Sequence, residues 1–274
     1  MQVALGLLAS VLIGTSDFFG AKSSGRTTAL QTTTVAFLGG AIATAVVSPL
    51  LGTPSVRDLV FGSLSGVAAF AALTTLWFGY ARSSVGIAAP VAAVVSTVLP
   101  VLWSAFRSEG PGVLGWTGVA VGVLALVLTS YAPGSRNPRD GAVLGAAAGV
   151  CFATMFLLAV NTSAAAGTWP VVGQRTTAFV LAVLAGLAMR QRPIATDPIA
   201  VRWSALAGAF GALGVASVVF GGQRGPIAPV VVAGSMYPAV VVALAWMFLG
   251  ERLRTRQVLG IAAALVGVAL ISID

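Results

Sequence analysis

One of the seven acidic residues, Asp17, stands inside an otherwise apolar run, in the stretch Gly14-Thr15-Ser16-Asp17-Phe18-Phe19-Gly20. The other six fall where loops, helix ends or the terminus are expected. A carboxylate in apolar surroundings is suited to exchanging a proton or holding a cation. The competing role is structural, an ion pair with Lys22, Arg26 or Arg82 that fixes a helix end. A second polar set is Gln174, Arg175 and Thr177, in which Arg175 is a base at the start of an apolar stretch. A guanidinium there suits a substrate carboxylate, which it grips through paired N–H donors; alternatively it reaches back to the membrane interface. Gln31 and Thr34 open another apolar stretch, and with Asp17 and Arg82 they form a candidate polar cluster for binding or gating. Among the aromatic residues Trp77, Tyr80, Trp103, Tyr237 and Trp246, Tyr237, directly before Pro238, is the candidate for stacking on a substrate. Several of the others fall near expected span ends, where anchoring is common.

Other chemistries lack their groups. The chain has no histidine and a single cysteine, Cys151, so neither a His/Cys metal site nor an intrachain disulfide is expected. No nucleotide-binding motif is present, and no constellation of nucleophile and base. The expectation is a protein that is not an enzyme and needs no cofactor. The net charge of +8 comes from bases scattered between apolar runs rather than gathered on one face, so nucleic acid is not an expected partner.

These residues need elements to hold them. With 58% hydrophobic and 8% charged residues the chain cannot cover a water-facing surface. A membrane helix takes about 20 mostly apolar residues. Punctuation by charges, prolines and glycine clusters gives ten: about 3–20, 28–50, 59–81, 86–105, 113–131, 141–160, 170–188, 203–221, 227–249 and 256–272. Met1-Gln2 offers no basic leader, so the first run is read as a retained span. Gly62/Gly66, Gly118/Gly122 and Gly145/Gly149 supply small-xxx-small spacing for close packing.

The halves resemble each other at a nearly constant offset. Ala4-Leu5-Gly6 matches Val143-Leu144-Gly145 at 139, Gln31-Thr32-Thr33-Thr34 matches Gln174-Arg175-Thr176-Thr177 at 143, and Phe78-Gly79-Tyr80-Ala81-Arg82 matches Phe220-Gly221-Gly222-Gln223-Arg224 at 142. Pro90 and Pro100 correspond to Pro229 and Pro238, candidate kinks in cavity-lining helices. Offset 139 puts Phe156 opposite Asp17, so a carboxylate site would exist once per molecule. Five spans per copy is odd, so the second copy enters from the opposite side. The expected fold class is an all-α polytopic membrane protein of ten transmembrane helices in two inverted five-helix repeats, 1–131 and 141–274, joined by a linker at 132–140.

The stretch from Pro229 and Pro238 through Gly250-Glu251-Arg252-Leu253, Gln257-Val258-Leu259-Gly260 and Gly267 resembles the end of an EamA repeat, of the drug/metabolite transporter superfamily. The first half, with Pro90, Pro100, Glu109, Gly115 and Gly122, is similar to a weaker copy. Pro238 to Glu251 spans thirteen positions and Pro100 to Glu109 nine, so both glutamates are read as loop anchors. The resemblance implies a central cavity lined by the first four helices of each repeat. It also implies secondary export or exchange of small organic metabolites, such as amino acids or drug-like compounds, by alternating access. Expected partners are a small-molecule substrate, the lipid bilayer and a coupling proton, with the chain a monomer or homodimer in a bacterial inner membrane. A non-transporting membrane scaffold is the alternative, ahead of an integral membrane enzyme.

Orientation has two conflicting indicators. Connections opposite the Met1 end hold Lys22, Arg26, Arg82, Arg136, Arg139, Arg190, Arg192, Arg202, Arg252, Arg254 and Arg256, against Arg57, Arg107 and Arg224 at the Met1 end. The positive-inside rule then puts both termini outside, whereas the resemblance implies both inside.

Overall fold

The computed structural model of the chain describes residues 1–82, 85–107, 112–130 and 137–237, with further single positions and pairs at 110 and between 240 and 270. The regular structure of the described residues is helical: α1 Gln2–Ser24, α2 Ala29–Val47, α3 Val56–Arg82, α4 Val85–Phe106, α5 Val113–Ser130, α6 Pro138–Val160, α7 Trp169–Ala188, α8 Pro198–Gly222 and α9 Ile227–Gly234. Short 3-10 turns cover Ser48–Leu50 and Ala164–Ala166. Six of the helices, α1, α2, α3, α6, α7 and α8, are long and apolar enough to cross a bilayer, so this is a multi-pass integral membrane protein. Of the stretch expected to hold a tenth span, 256–272, only scattered helical positions are described, and most of the 132–140 linker lies outside the described residues.

Local chemistry sets the helix starts. Thr28 caps α2 by accepting from the Gln31 N–H, and the Gln31 side chain accepts from the Thr28 N–H, a reciprocal capping box. Asp197 caps α8 through the Ile199 N–H, with Pro198 in the first turn. That cap explains why α8 begins five residues before the apolar run starting at 203. Arg202 thereby becomes an exposed residue in the second turn rather than a loop residue.

The helices fall into two bundles. In one, α1 packs on α8 and α9; in the other, α6 packs on α3 and α4. Between them α2 lies against α8, α7 lies against α3, and α2 and α7 touch each other. Each pairing recurs with helices five further along the chain. Its finest trace is in two glycines. A Cβ on Gly6 would lie 2.5 Å from the Val230 carbonyl oxygen of α9, and one on Gly145 2.6 Å from the Ala88 carbonyl oxygen of α4. Gly62 and Gly66 meet the backbone of Pro170 and Gln174 on α7, Gly149 meets Ala92 and Val95, and Gly118 and Gly122 receive Gly267. The small-xxx-small pairs are therefore helix contacts throughout. Large apolar side chains such as Leu7, Leu8, Val11, Leu184 and Leu187 face outward, as lipid requires.

Each bundle is stapled at one end. Buried Asp58 accepts from the Ser55 N–H (2.9 Å) and hydroxyl (2.8 Å) and from the Ser163 N–H (2.8 Å) and hydroxyl (3.0 Å), tying the start of α3 to the α6–α7 connection. At the opposite end, Arg26 pairs with Asp197 at 2.7 Å, and buried Ser23 bonds Thr32, Ser204 and the Ala200 carbonyl. The hydrogen bond from Arg26 holds the Asp197 carboxyl below its ordinary pKa. Asp58→Ala strands two N–H donors and two hydroxyls, and is expected to destabilise the protein by about 3 kcal/mol in reversible unfolding in detergent. Asp58→Asn, which keeps acceptor oxygen, is expected to lose clearly less.

Candidate functional site

Asp17 sits between two contact lines of α1. On one flank the Ser16 hydroxyl donates to the Ala207 carbonyl of α8 at 2.7 Å. On the other, Gly14 lies against the Tyr237 carbonyl and the Val240 side chain. Asp17 is nonetheless exposed.

Arg175 occupies the corresponding face of α7. Thr176, Val180, Leu184 and Leu187 point outward and are exposed, while Gln174 turns toward α3 and Arg175 toward α2 and α8. The guanidinium lies 5.7 Å from the Phe37 ring centroid and donates from Nη2 to the Gly211 carbonyl at 3.2 Å. That is one acceptor for a group with five N–H donors, and its buried Nε has no partner. Gly211 is the hub. A Cβ there would lie 2.7 Å from the Ser16 hydroxyl, so a larger residue would displace the Ser16 side chain. Arg175 and Ser16, the residue before Asp17, thus both meet Gly211, and the ion pair found among the described residues is Arg26–Asp197, not one between Asp17 and Arg175.

The remaining candidates take varied places. Gln31 caps α2, accepts from the Thr27 hydroxyl and donates to the Arg192 carbonyl at 3.1 Å. Buried Thr34 donates to the Leu30 carbonyl. Arg82 is exposed at the end of α3, with no hydrogen bond or ion pair among the described residues. No described hydrogen bond or ion pair joins Asp17, Gln31, Thr34 and Arg82 to one another. Fully buried Gln174 donates to the Ser65 hydroxyl at 3.2 Å, and its Oε1 has no partner. Thr177 is half-buried beside Gly66, and Tyr237 is half-buried beside Gly14.

Pro100 is buried within α4, a helix that continues through it. Pro229 is a correction: it is the third residue of α9, where a proline breaks no intrahelical bond, so it begins a helix rather than kinking one. Pro238, Trp246, Glu109, Glu251, Arg136, Arg252, Arg254 and Arg256 lie outside the described residues, as do the side chains of Pro90, Trp77 and Tyr80. Ser16, Phe37 and Gly211 were not singled out from sequence. Gly208, Gly211 and Gly214, spaced every third residue, carried the signal of a helix face needing close approach.

The two bundles meet at the Met1 end. There Arg224 donates from Nη2 to the Ala164 carbonyl at 2.9 Å, Gln223 donates to the Thr162 hydroxyl at 2.7 Å, and Gly222 abuts Val160. Deeper in, the Thr97 and Ser235 hydroxyls share a hydrogen bond of 2.6 Å above the Val101–Ala228–Val232 cluster. No comparable tie between the bundles is described at the opposite end, toward which Asp17 lies. A separate groove of about 320 Å³ runs along the outer face of α3, lined by Leu59, Leu64, Val67 and neighbours. It is almost wholly apolar and faces lipid, so the polar site is elsewhere.

A helical bundle with six helices of spanning length defines a multi-pass membrane protein, and two of its buried polar atoms, Gln174 Oε1 and Arg175 Nε, have no partner among the described residues. Residues 139–273, the second half of the chain, match the model of the EamA-like transporter family, one of the drug/metabolite transporter superfamily. A solved structure described only as the crystal structure of a protein aligns over 99% of this chain and 96% of its own, with a TM-score of 0.82 at 17% identity, a likeness of fold alone. No curated protein sequence matches.

Proposed function

We propose that the chain is a secondary transporter, an exporter or exchanger of small organic solutes, working by alternating access. The observation that carries this reading is the pair Asp17 and Arg175. Among the described residues neither has an ionic partner, Arg175 donates to the Gly211 carbonyl, Ser16 beside Asp17 meets the same glycine, and the described ties between the bundles are at the Met1 end. Opposite charges left uncompensated at membrane depth are costly unless a solute or ion completes them. Arg175 is the contact for a substrate carboxylate, and Asp17 carries a coupling proton or a substrate cation. Tyr237, beside α1, is the candidate ring for stacking.

Two inverted repeats of five helices, 1–131 and 141–274, account for the recurrence of every major pairing five helices on. They also account for the hydrogen bonds between connections, each of which joins two connections at the same end of the bundle. The α1/α8/α9 and α3/α4/α6 bundles are the units that rock, with α2 and α7 between them. The match of residues 139–273 to the EamA-like transporter family supports transport as the class of function.

The test is uptake of labelled carboxylates and amino acids by proteoliposomes, with and without a pH gradient. Wild type is expected to show gradient-stimulated flux, and Asp17→Asn to lose the stimulation while retaining part of the exchange. An unchanged rate and pH dependence in Asp17→Asn would remove Asp17 from coupling.

A further inference from the structure

The closed end of the bundle is asymmetric in a way the repeated sequence is not. Arg224 stands at the α8–α9 connection, its guanidinium 3.5 Å from the centre of the Phe220 ring, and reaches across to the Ala164 carbonyl of the α6–α7 connection. It also donates to the Phe220 carbonyl, while neighbouring Gln223 ties to Thr162. This latch joins the α1/α8/α9 bundle to the α3/α4/α6 bundle. At offset 142 its sequence counterpart is Arg82, with Phe78 in the place of Phe220. At offset 139 the counterpart of Ala164 is Gly25, in the α1–α2 connection. Arg82 and Phe78 are both exposed, and Arg82 has no hydrogen bond or ion pair among the described residues. The helix packing has the same bias: α6 touches α8, whereas the equivalent pair, α1 and α3, makes at most a marginal contact.

From this we infer that Arg224 and Arg82 are one latch present twice, used in turn. Arg224 closes the Met1 end in the state seen here. In the opposite state the bundles tilt, Arg224 lets go of the Ala164 carbonyl, and Arg82 closes the other end against the α1–α2 connection. Arginine suits the role because it binds neutral carbonyls while keeping its charge at the membrane interface, so release costs no unpaired buried ion. The inference rests on the transporter reading for its purpose, but its geometry is tested separately.

Spin labels on a Cys151→Ser background report both ends: Ala165→Cys with Pro226→Cys at the Met1 end, and Ala29→Cys with Arg139→Cys at the opposite end. In unmodified latches the Met1-end distance is expected to be short and the other long. Arg224→Gln should lengthen the first and shorten the second together, and Arg224→Lys should do so less. Adding Arg82→Gln to Arg224→Gln should abolish the shortening. Arg224→Gln leaving both distances unchanged, or moving only the Met1-end pair, would overturn the paired latch. If the distances exchange as expected but proteoliposomes move no solute, the transporter reading fails and the latch stands.

Discussion

Arg175→Gln is expected to reduce binding of a carboxylate substrate by about 10- to 150-fold, the equivalent of losing about 1.5–3 kcal/mol of charge-assisted hydrogen bonding. The guanidinium is held by the Gly211 carbonyl and the Phe37 face at the meeting of α2, α7 and α8. Gly40 leaves room for its stem, since a Cβ there would lie 3.4 Å from the Arg175 Cδ. The group is therefore preorganised, with most of its donors unspent. Arg175→Lys separates two explanations. A lysine keeps the charge but loses the planar fork, so a bidentate carboxylate site predicts a large loss with lysine as well. A purely electrostatic role predicts near-complete rescue. Equilibrium binding in detergent reads this directly, and wild-type affinity in Arg175→Gln would remove Arg175 from the site.

Gly208→Val is expected to destabilise the fold by about 3 kcal/mol or more, the upper range for overpacking. A Cβ at Gly208 would come within 1.9 Å of the Ala36 carbonyl oxygen and 2.7 Å of its Cα. These are backbone atoms of α2, which have no rotamer to change, so the helices must part. Parting them also undoes the approach of Gly39 to Ala205 and of Gly40 to Ala212, and with it the seat of Arg175. Gly20→Ala is the control, because among the described residues a Cβ there meets nothing within 4 Å. It replaces a helical glycine with the better helix former, and should be neutral or stabilising. Reversible unfolding in detergent distinguishes them; equal stability of Gly208→Val and wild type would refute the close α2–α8 contact.

One matched motif of the two halves is a packing match as well as a sequence match. Gly6 and Gly145, paired by their place in a short tripeptide, rest on equivalent carbonyls of α9 and α4. Close helix contact in lipid depends on the absence of a side chain, and an absent side chain is visible in one dimension. The Gln31 and Gln174 match was less informative. One glutamine caps an exposed helix start and the other is fully buried against Ser65. The backbone context that separates a cap from a core amide lies in the neighbouring helix.

The sequence alone determined the class: too few charges for a water-facing surface, apolar runs of spanning length, and a second-half pattern that the family match then bore out. It also singled out Asp17 and Arg175 as candidates among the charged residues. Only the tertiary structure decided that Arg175 reaches the Gly211 carbonyl rather than Asp17, that Pro229 starts a helix, and that Arg224 is engaged while Arg82 has no hydrogen bond or ion pair among the described residues. The physical reason is the same in each case. Transfer free energies act on each residue's composition and are written along the chain. Whether a polar group meets a partner depends on which helix faces touch, and similar halves can meet differently at the two ends of one bundle.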